Sequence, residues 1–378
     1  MKRQVLVILL LIPFAICYSS DITDNNPNQK PKSFTSQDAT LAMDAFNEYF
    51  LDKERLIYYK NSDKEDKGAI WTQAVYWDML MNAYKRTGDK KYYQLIEDVY
   101  VGNYKTYDAY NFDNTVVWFI YDDIMWWVIS MARAYEITKD PKYLGHSVLG
   151  FERVWKGTPG VKDKGSYDPV KGGMKWGWKR DEWRGKMACI NYPTVVAAME
   201  LYNITKDQSY LDRAKEIYEW SRNTLFDKKD GKVADHKVMD NPVNWTTNLY
   251  NQATCIGAAV LLYKETGDKM YLDDAILAAD YSKNKMSDKN GVLYVKNGIE
   301  QGVYTAIFAQ YIIRLIEDCN QPQYTDWLRY NIDLAWQNRD KSRNITFKKA
   351  DIPCPTGSVE VYDASACVAL MQVIPPKK

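Results

Sequence analysis

The chain reads as an all-α protein of about twelve helices paired into six hairpins. Three observations predict this. Four segments share one pattern: Tyr84-x-x-Thr87-x-Asp89-x-x-Tyr92, Tyr135-x-x-Thr138-x-Asp140-x-x-Tyr143, Tyr202-x-x-Thr205-x-Asp207-x-x-Tyr210 and Tyr263-x-x-Thr266-x-Asp268-x-x-Tyr271. Apolar, helix-periodic runs such as TVVAAMELY and YLDRAKEIYEW flank each copy. Strand-like alternation is confined to 288–296. In each copy one helix ends at Thr-Gly or Thr-Lys, the Asp caps the next helix, and the Tyr three residues later packs back on the turn. A degenerate fifth copy lies near Cys319 to Tyr324.

The N-terminus comes first. Met1-Lys2-Arg3 precedes a short apolar run from Val5 to Ile16, interrupted by Pro13. That is the form of a secretory signal, too short for a permanent membrane span. The run ends at Cys17, placed like a bacterial lipoprotein acceptor, although Ile16 stands where a small residue is usual; ordinary cleavage nearby is the other reading. Residues 1–17 are expected to be a signal peptide, 18–35 a flexible linker, and 36–378 one catalytic domain. The expected location is exported, in a bacterial cell envelope, with membrane contact only through a lipid on Cys17.

Helices are expected at 38–51, 71–87, 90–105, 118–138, 141–156, 192–205, 208–225, 247–266, 269–286, 302–319, 321–338 and 358–373. Repeated hairpins form either an open solenoid or a closed toroid. Six closed pairs give an (α/α)6 barrel with inner helices ringing a central cleft. The glycine-rich 157–178 and polar 227–246 segments are long loops inside the series, and loops of that length are usually functional.

Composition narrows the chemistry. The 50 Lys and Arg against 49 Asp and Glu leave no global basic field, so nucleic acid is not an expected partner. The two histidines, His146 and His236, share no motif, which argues against zinc clusters and His-based triads. No metal or cofactor is expected. Thirty Tyr and 13 Trp against 10 Phe suit a wet, aromatic-walled groove. The cysteines beyond Cys17 show no disulfide spacing and read as free thiols.

The sharpest feature is Asp122-Asp123 inside VVWFIYDDIMWWVISMA. Burying one charge in such surroundings is costly, and two like charges push a proton onto the pair. At the first turn of a helix both side chains can reach one cavity, about 5 Å apart as in retaining glycosidases. One would be an ionised nucleophile and the other a protonated acid/base. The alternative is that both merely favour the helix's positive end. Trp176 and Trp178 in the glycine-rich loop offer flat faces for sugar rings, or pack the loop. Of Trp126 and Trp127, one should face the groove and one the core. Tyr250, Asn251 and Gln252 open a helix where amides could bind hydroxyls or cap. Trp71 and Gln73 open another.

Three stretches carry a resemblance: YDDIMWWVISMARAYEITKDPKYL, LYNQATCIGAAVLLYKETGDKMYL and GMKWGWKRDEWRGK. They resemble glycoside hydrolase family 76, the endo-α-1,6-mannanases, over about residues 70 to 320. The resemblance implies an (α/α)6 fold and retaining hydrolysis of an α-mannan or α-manno-oligosaccharide by a monomer without metal. It implies Asp122 as nucleophile and Asp123 as acid/base, with Asn191 and the aromatic and amide residues above contacting substrate. Two stretches depart from the family pattern, Gly302-Val303-Tyr304-Thr305-Ala306-Ile307-Phe308 and Lys186-Met187-Ala188 through Asn191-Tyr192, which bears on chain-length preference and tolerance of branches. A non-catalytic cell-surface glycan-binding protein, or a related α-glycosidase or transglycosylase, is the rival reading.

Overall fold

The computed structural model describes residues 31–160, 162–177 and 185–377. The signal, most of the linker, Cys17, Trp178 and the charged Asp181-Glu182 pair lie outside the described residues. Twelve α-helices are present among those residues: α1 (Ser36–Phe50), α2 (Ile70–Thr87), α3 (Lys90–Thr106), α4 (Tyr121–Thr138), α5 (Pro141–Lys156), α6 (Ala188–Thr205), α7 (Gln208–Thr224), α8 (Leu249–Thr266), α9 (Lys269–Lys285), α10 (Gln301–Asp318), α11 (Thr325–Gln337) and α12 (Val361–Val373).

The even-numbered helices form the inner ring. Each packs on the next, and α12 returns to pack on α2, so the toroid is closed. The outer helices α3, α5, α7 and α9 lie against α2, α4, α6 and α8, while α1 and α11 cover α12. Sequence dictates the two layers. In α6 every residue from Ala188 to Leu201 is buried, and in α12 every residue from Val361 to Gln372. The outer α5 instead buries one stripe, including Tyr143, Ser147, Phe151 and Val154. Closure is secured where the chain ends meet. The Gln372 amide donates to the Ala39 carbonyl at 2.9 Å, and Val361 N–H donates to the Lys60 carbonyl at 2.8 Å.

The Thr-x-Asp turns are built as expected, with one addition. Gly88, Lys139, Lys206 and Gly267 all adopt left-handed φ, between 58° and 70°. Their N–H groups donate to the carbonyls of Tyr84, Tyr135, Tyr202 and Tyr263 at 2.8 Å. Each Thr hydroxyl donates to the carbonyl four residues back and accepts from the Asp N–H. Each Asp then accepts from the N–H two residues on. One motif therefore ends a helix and starts the next. The second tyrosines are buried, and Tyr92 and Tyr143 donate to Asp44 and Glu97 at 2.9 and 2.6 Å. The fifth copy lacks the Asp cap: Asn320 takes the left-handed turn and a short 3-10 helix, Pro322–Tyr324, leads into α11.

Two expectations needed correction. Helix α6 begins at Ala188, four residues before the expected start, because Pro193 sits within its first two turns and reads in sequence as a boundary. The 288–296 segment is a hairpin held by a single bridge, Ser287 to Leu293. The regular strand pairing instead joins β1 (Lys186–Met187) to β2 (His236–Lys237), antiparallel. Cys189, Cys255, Cys319, Cys354 and Cys367 are free thiols, all but Cys319 buried. Among the described residues no helix is long and apolar enough to cross a membrane.

The Asp268 cap is exposed and bonds only its own turn, so Asp268→Ala should lower stability by about 1 kcal/mol, read as a reduced urea midpoint at unchanged slope.

Candidate active site

The first turns of the inner helices converge at one end of the toroid. Helix α4 enters there without a side-chain cap: Ile120 is extended, and Tyr121 N–H donates to the Trp176 carbonyl at 3.0 Å. The 157–187 loop thus supplies the missing cap. The loop is itself anchored, because Asp163, fully buried, pairs with Arg153 of α5 at 2.6 Å and accepts from the Tyr121 hydroxyl. Asp122 and Asp123 follow in the first turn. Asp122 is buried and Asp123 half-buried. Neither serves as the N-cap, so capping does not account for them.

Burial raises the Asp122 carboxyl to about 7. The Cys189 thiol, the Trp176 indole and the Asp123 N–H all donate to it and favour its ionised form, while Glu300 opposes them. Burial raises Asp123 further, then the Asp122 and Glu300 charges raise it again. Among the described residues no donor supports its anion. The pair therefore shares a proton unequally: Asp122 ionises first and Asp123 keeps the proton.

Aromatic rings wall the floor. Trp71 lies 6.0 Å from Trp126, and its indole donates to Glu300. Opposite, Tyr250 stacks on Tyr304 at 4.2 Å and hydrogen-bonds Cys189. The Tyr304 hydroxyl donates to Glu300 Oε2 at 3.4 Å. Beside Glu300 a solvent-open hollow of about 500 Å³ is bounded by Lys60, Ile299, Gln301, Tyr304 and Tyr362. Helices α10 and α12 approach closely at Gly302, where a Cβ would sit 2.3 Å from the Tyr362 carbonyl. A separate hollow of about 620 Å³ lies at the opposite end, where Arg133, Glu200 and Arg314 meet the helix C-termini. It is lined by ion pairs such as Arg314 to Glu200 at 2.6 Å and lies away from the acidic pair.

Among the described residues the structure brings together Trp71, Asp122, Asp123, Trp126, Trp176 and Tyr250, and sets Gln73, Trp127, Asn191, Asn251 and Gln252 apart from them. Trp127 is a core residue: it is fully buried, packs on Trp77 and Tyr110, and donates to the Ile70 carbonyl at 3.0 Å. Three expected substrate contacts are structural. Gln73 is fully buried and holds both the N–H and carbonyl of Tyr58 at 2.8 Å. Asn191 holds Met174 N–H at 2.8 Å and its carbonyl at 3.0 Å. Gln252 holds Val233 N–H at 2.6 Å and the Gly231 carbonyl at 2.9 Å. Each amide imitates a peptide group and pins the loop that precedes its inner helix. Asn251 is also fully buried, donating to Asp235 Oδ1 at 3.3 Å. Sequence reasoning did not single out Glu300 or Tyr362, and met Tyr304 only within the stretch that departs from the family pattern. Their one signal was position, at the start of the fifth and sixth inner helices. Among the described residues no cluster of His, Cys, Asp or Glu has the geometry to hold a metal ion.

A helical toroid with two buried acids on its floor is the architecture of a glycoside hydrolase. A family model described as Glycosyl hydrolase family 76 matches residues 34–372, and the chain belongs to that family. The alpha-1,6-mannanase of Salegentibacter sp. HEL1_6 is similar in structure, with 25% identity and a TM-score of 0.79 over 89% of this chain and 98% of that one. An inactive variant of that mannanase, with two consecutive aspartates replaced by alanine, was solved in complex with alpha-1,6-mannotetrose and matches over the same shares of both chains at 24% identity and a TM-score of 0.79. The Lin0763 protein of Listeria innocua has 22% identity and a TM-score of 0.78 over 89% of this chain and 96% of that one. No curated protein gives a significant match.

Two outcomes follow from the geometry. Asn191→Ala should cost about 2 kcal/mol, because it strands both backbone groups of Met174; a urea titration reads this, whereas a pure substrate contact would change KM at constant stability. Glu300→Gln removes a negative neighbour and lowers the pKa of both aspartates. The whole pH profile of kcat/KM should therefore move toward acid.

Proposed function

We propose that the chain is a retaining hydrolase of α-1,6-linked mannan, with Asp122 as nucleophile and Asp123 as acid/base. The observation that carries this reading is the pair of adjacent carboxyls, one buried and one half-buried, in the uncapped first turn of α4 beside the aromatic walls of the cleft. The double aspartate replacement that accompanies the inactive Salegentibacter variant, and the mannotetrose bound to it, support the same pair and the same substrate class.

In the first step an Asp122 oxygen attacks the anomeric carbon while Asp123 gives its proton to the departing glycosidic oxygen. A covalent glycosyl–Asp122 ester forms and the C–O bond to the aglycone breaks. Asp123, now an anion, takes a proton from water as the water oxygen attacks the same carbon. The ester breaks, Asp122 leaves as a carboxylate, and the starting protonation returns. Two inversions give net retention. The Cys189, Trp176 and backbone donors stabilise Asp122 as nucleophile and as leaving group. Export to the cell envelope, with a lipid on Cys17, fits this role and is supported by the charge and apolar pattern of the first 17 residues.

Asp122→Asn and Asp123→Asn should each abolish release of new reducing ends from linear α-1,6-mannan, with circular dichroism unchanged. Near-normal turnover in either variant sinks the assignment, and so does binding without turnover in the wild type. The first-formed product should be the α-anomer by NMR. The kcat/KM profile should be bell-shaped. Activity is lost on the acid side as Asp122 takes up a proton, at a pH above the usual carboxylate range, and on the alkaline side as Asp123 loses its own.

A further inference from the structure

A second hollow opens beside the cleft, between the first turn of α8, the 287–296 hairpin and the first turn of α10. It has a volume of about 200 Å³. At ~30 Å³ per water this is the room of roughly seven waters, enough for one sugar ring and too little for a chain. Tyr304 and Gln301 line both this space and the hollow beside Glu300, so the two are neighbours across one partition. The partition is rigid, because Tyr304 is stacked on Tyr250 and bonded to Glu300.

The lining has the chemistry of a carbohydrate site. Thr305 is 4% exposed, and its hydroxyl is buried without a hydrogen-bond partner. Buried polar groups are normally paired, so this one is available to a ligand. Asn248 stands at the wall with its amide nitrogen donating to Asp235 Oδ1 at 2.8 Å, which leaves its Oδ1 as an acceptor. At the rim Tyr294 is 64% exposed, an aromatic face left bare beside a cavity whose walls include Leu249, Met286 and Val295. Among the described residues no carboxylate lines the space; two lysines do, Lys296 with its ammonium engaged by the Thr247 carbonyl and Lys285 exposed to solvent. An apolar ring face at the mouth and an unpaired hydroxyl inside suit a neutral, hydroxyl-rich ring.

We propose that this hollow is a side-branch subsite, which receives a single hexopyranose substituent of the polysaccharide while the main chain lies across Asp122 and Asp123. The proposal rests on the mannan reading of the cleft. It makes the enzyme tolerant of backbones bearing one-sugar branches, and limits it to short ones.

The test compares kcat/KM on linear α-1,6-manno-oligosaccharides with that on the same backbone carrying single α-linked mannose branches. Wild type should cleave both. Tyr294→Ala removes an exposed ring and Thr305→Val removes only the hydroxyl. Each should lower the branched-to-linear ratio about fivefold, the scale of one lost hydrogen bond or stacking contact. Wild type that cleaves linear substrate but refuses branched substrate overturns the subsite alone, as does an unchanged ratio in both folded variants. Wild type that cleaves neither overturns the hydrolase reading. The subsite is then judged by calorimetric binding of the branched oligosaccharide: weakened binding in Tyr294→Ala supports it, and equal binding ends it.

Discussion

Two neighbouring carboxyls held out of bulk water at the start of α4 set the terms for the rest of the molecule. Such a pair is unstable unless something compensates it. The positive end of α4 does part of this, and donors from three directions do the rest for Asp122 alone. The Trp176 indole comes from the 157–187 loop, the Cys189 thiol from α6, and the Asp123 N–H from the helix itself. These donors must stay in register within tenths of an ångström. The supports around them explain much of the architecture: the Arg153–Asp163–Tyr121 cluster anchors the loop, and the β1–β2 pair ties it to the 225–248 connection.

The two ends of the toroid divide the work. At one end four of the inner helices pass to the outer ones through tight Thr-x-Asp turns, each of which satisfies a helix-end carbonyl and an N–H of the next helix locally. At the other end the outer helices return through long connections, and the reactive groups collect there. Long loops normally bring mobility, which would blur the acidic pair. The inner-helix amides solve this. Gln73, Asn191 and Gln252 each bond loop backbone as another peptide would, converting loops into extensions of the scaffold. Asn331 does the same from α11, holding Leu293 N–H and the Gly291 carbonyl.

Local features were legible in the sequence and long-range ones were not. The Thr-x-Asp motif displays its capping chemistry within nine residues, so hairpins could be read directly. Closure depends on contacts such as Gln372 with Ala39, which no local pattern announces. The acidic pair stood out because charge among apolar residues is anomalous anywhere. The amides misled for a physical reason: a polar side chain at the start of a buried helix looks the same whether its partner is a sugar hydroxyl or a loop peptide. Trp126 and Trp127 are both buried, and adjacent helical residues point about 100° apart, so that Trp126 packing on Trp71 and Trp127 on Trp77 depended on the ring of neighbours. Glu300 carried only the signal of its position, because a lone Glu before a helix is ordinary until Asp123 lies beside it.

The wall of the cleft and the proton inventory are the same set of atoms. Trp176 offers its carbonyl to the first N–H of α4 and its indole to Asp122, so the loop that shapes the groove also decides which aspartate is ionised. Trp71 and Tyr304, from opposite walls, both donate to Glu300, whose charge raises both acids. A sugar that presses on Trp71 or displaces water around Glu300 therefore alters the field at Asp123 before any bond breaks. Desolvation by the bound ring strengthens Asp123's hold on its proton, while the donors to Asp122, buried already, change little. Binding thus widens the inequality between the two acids, the state that the proposed double displacement would use.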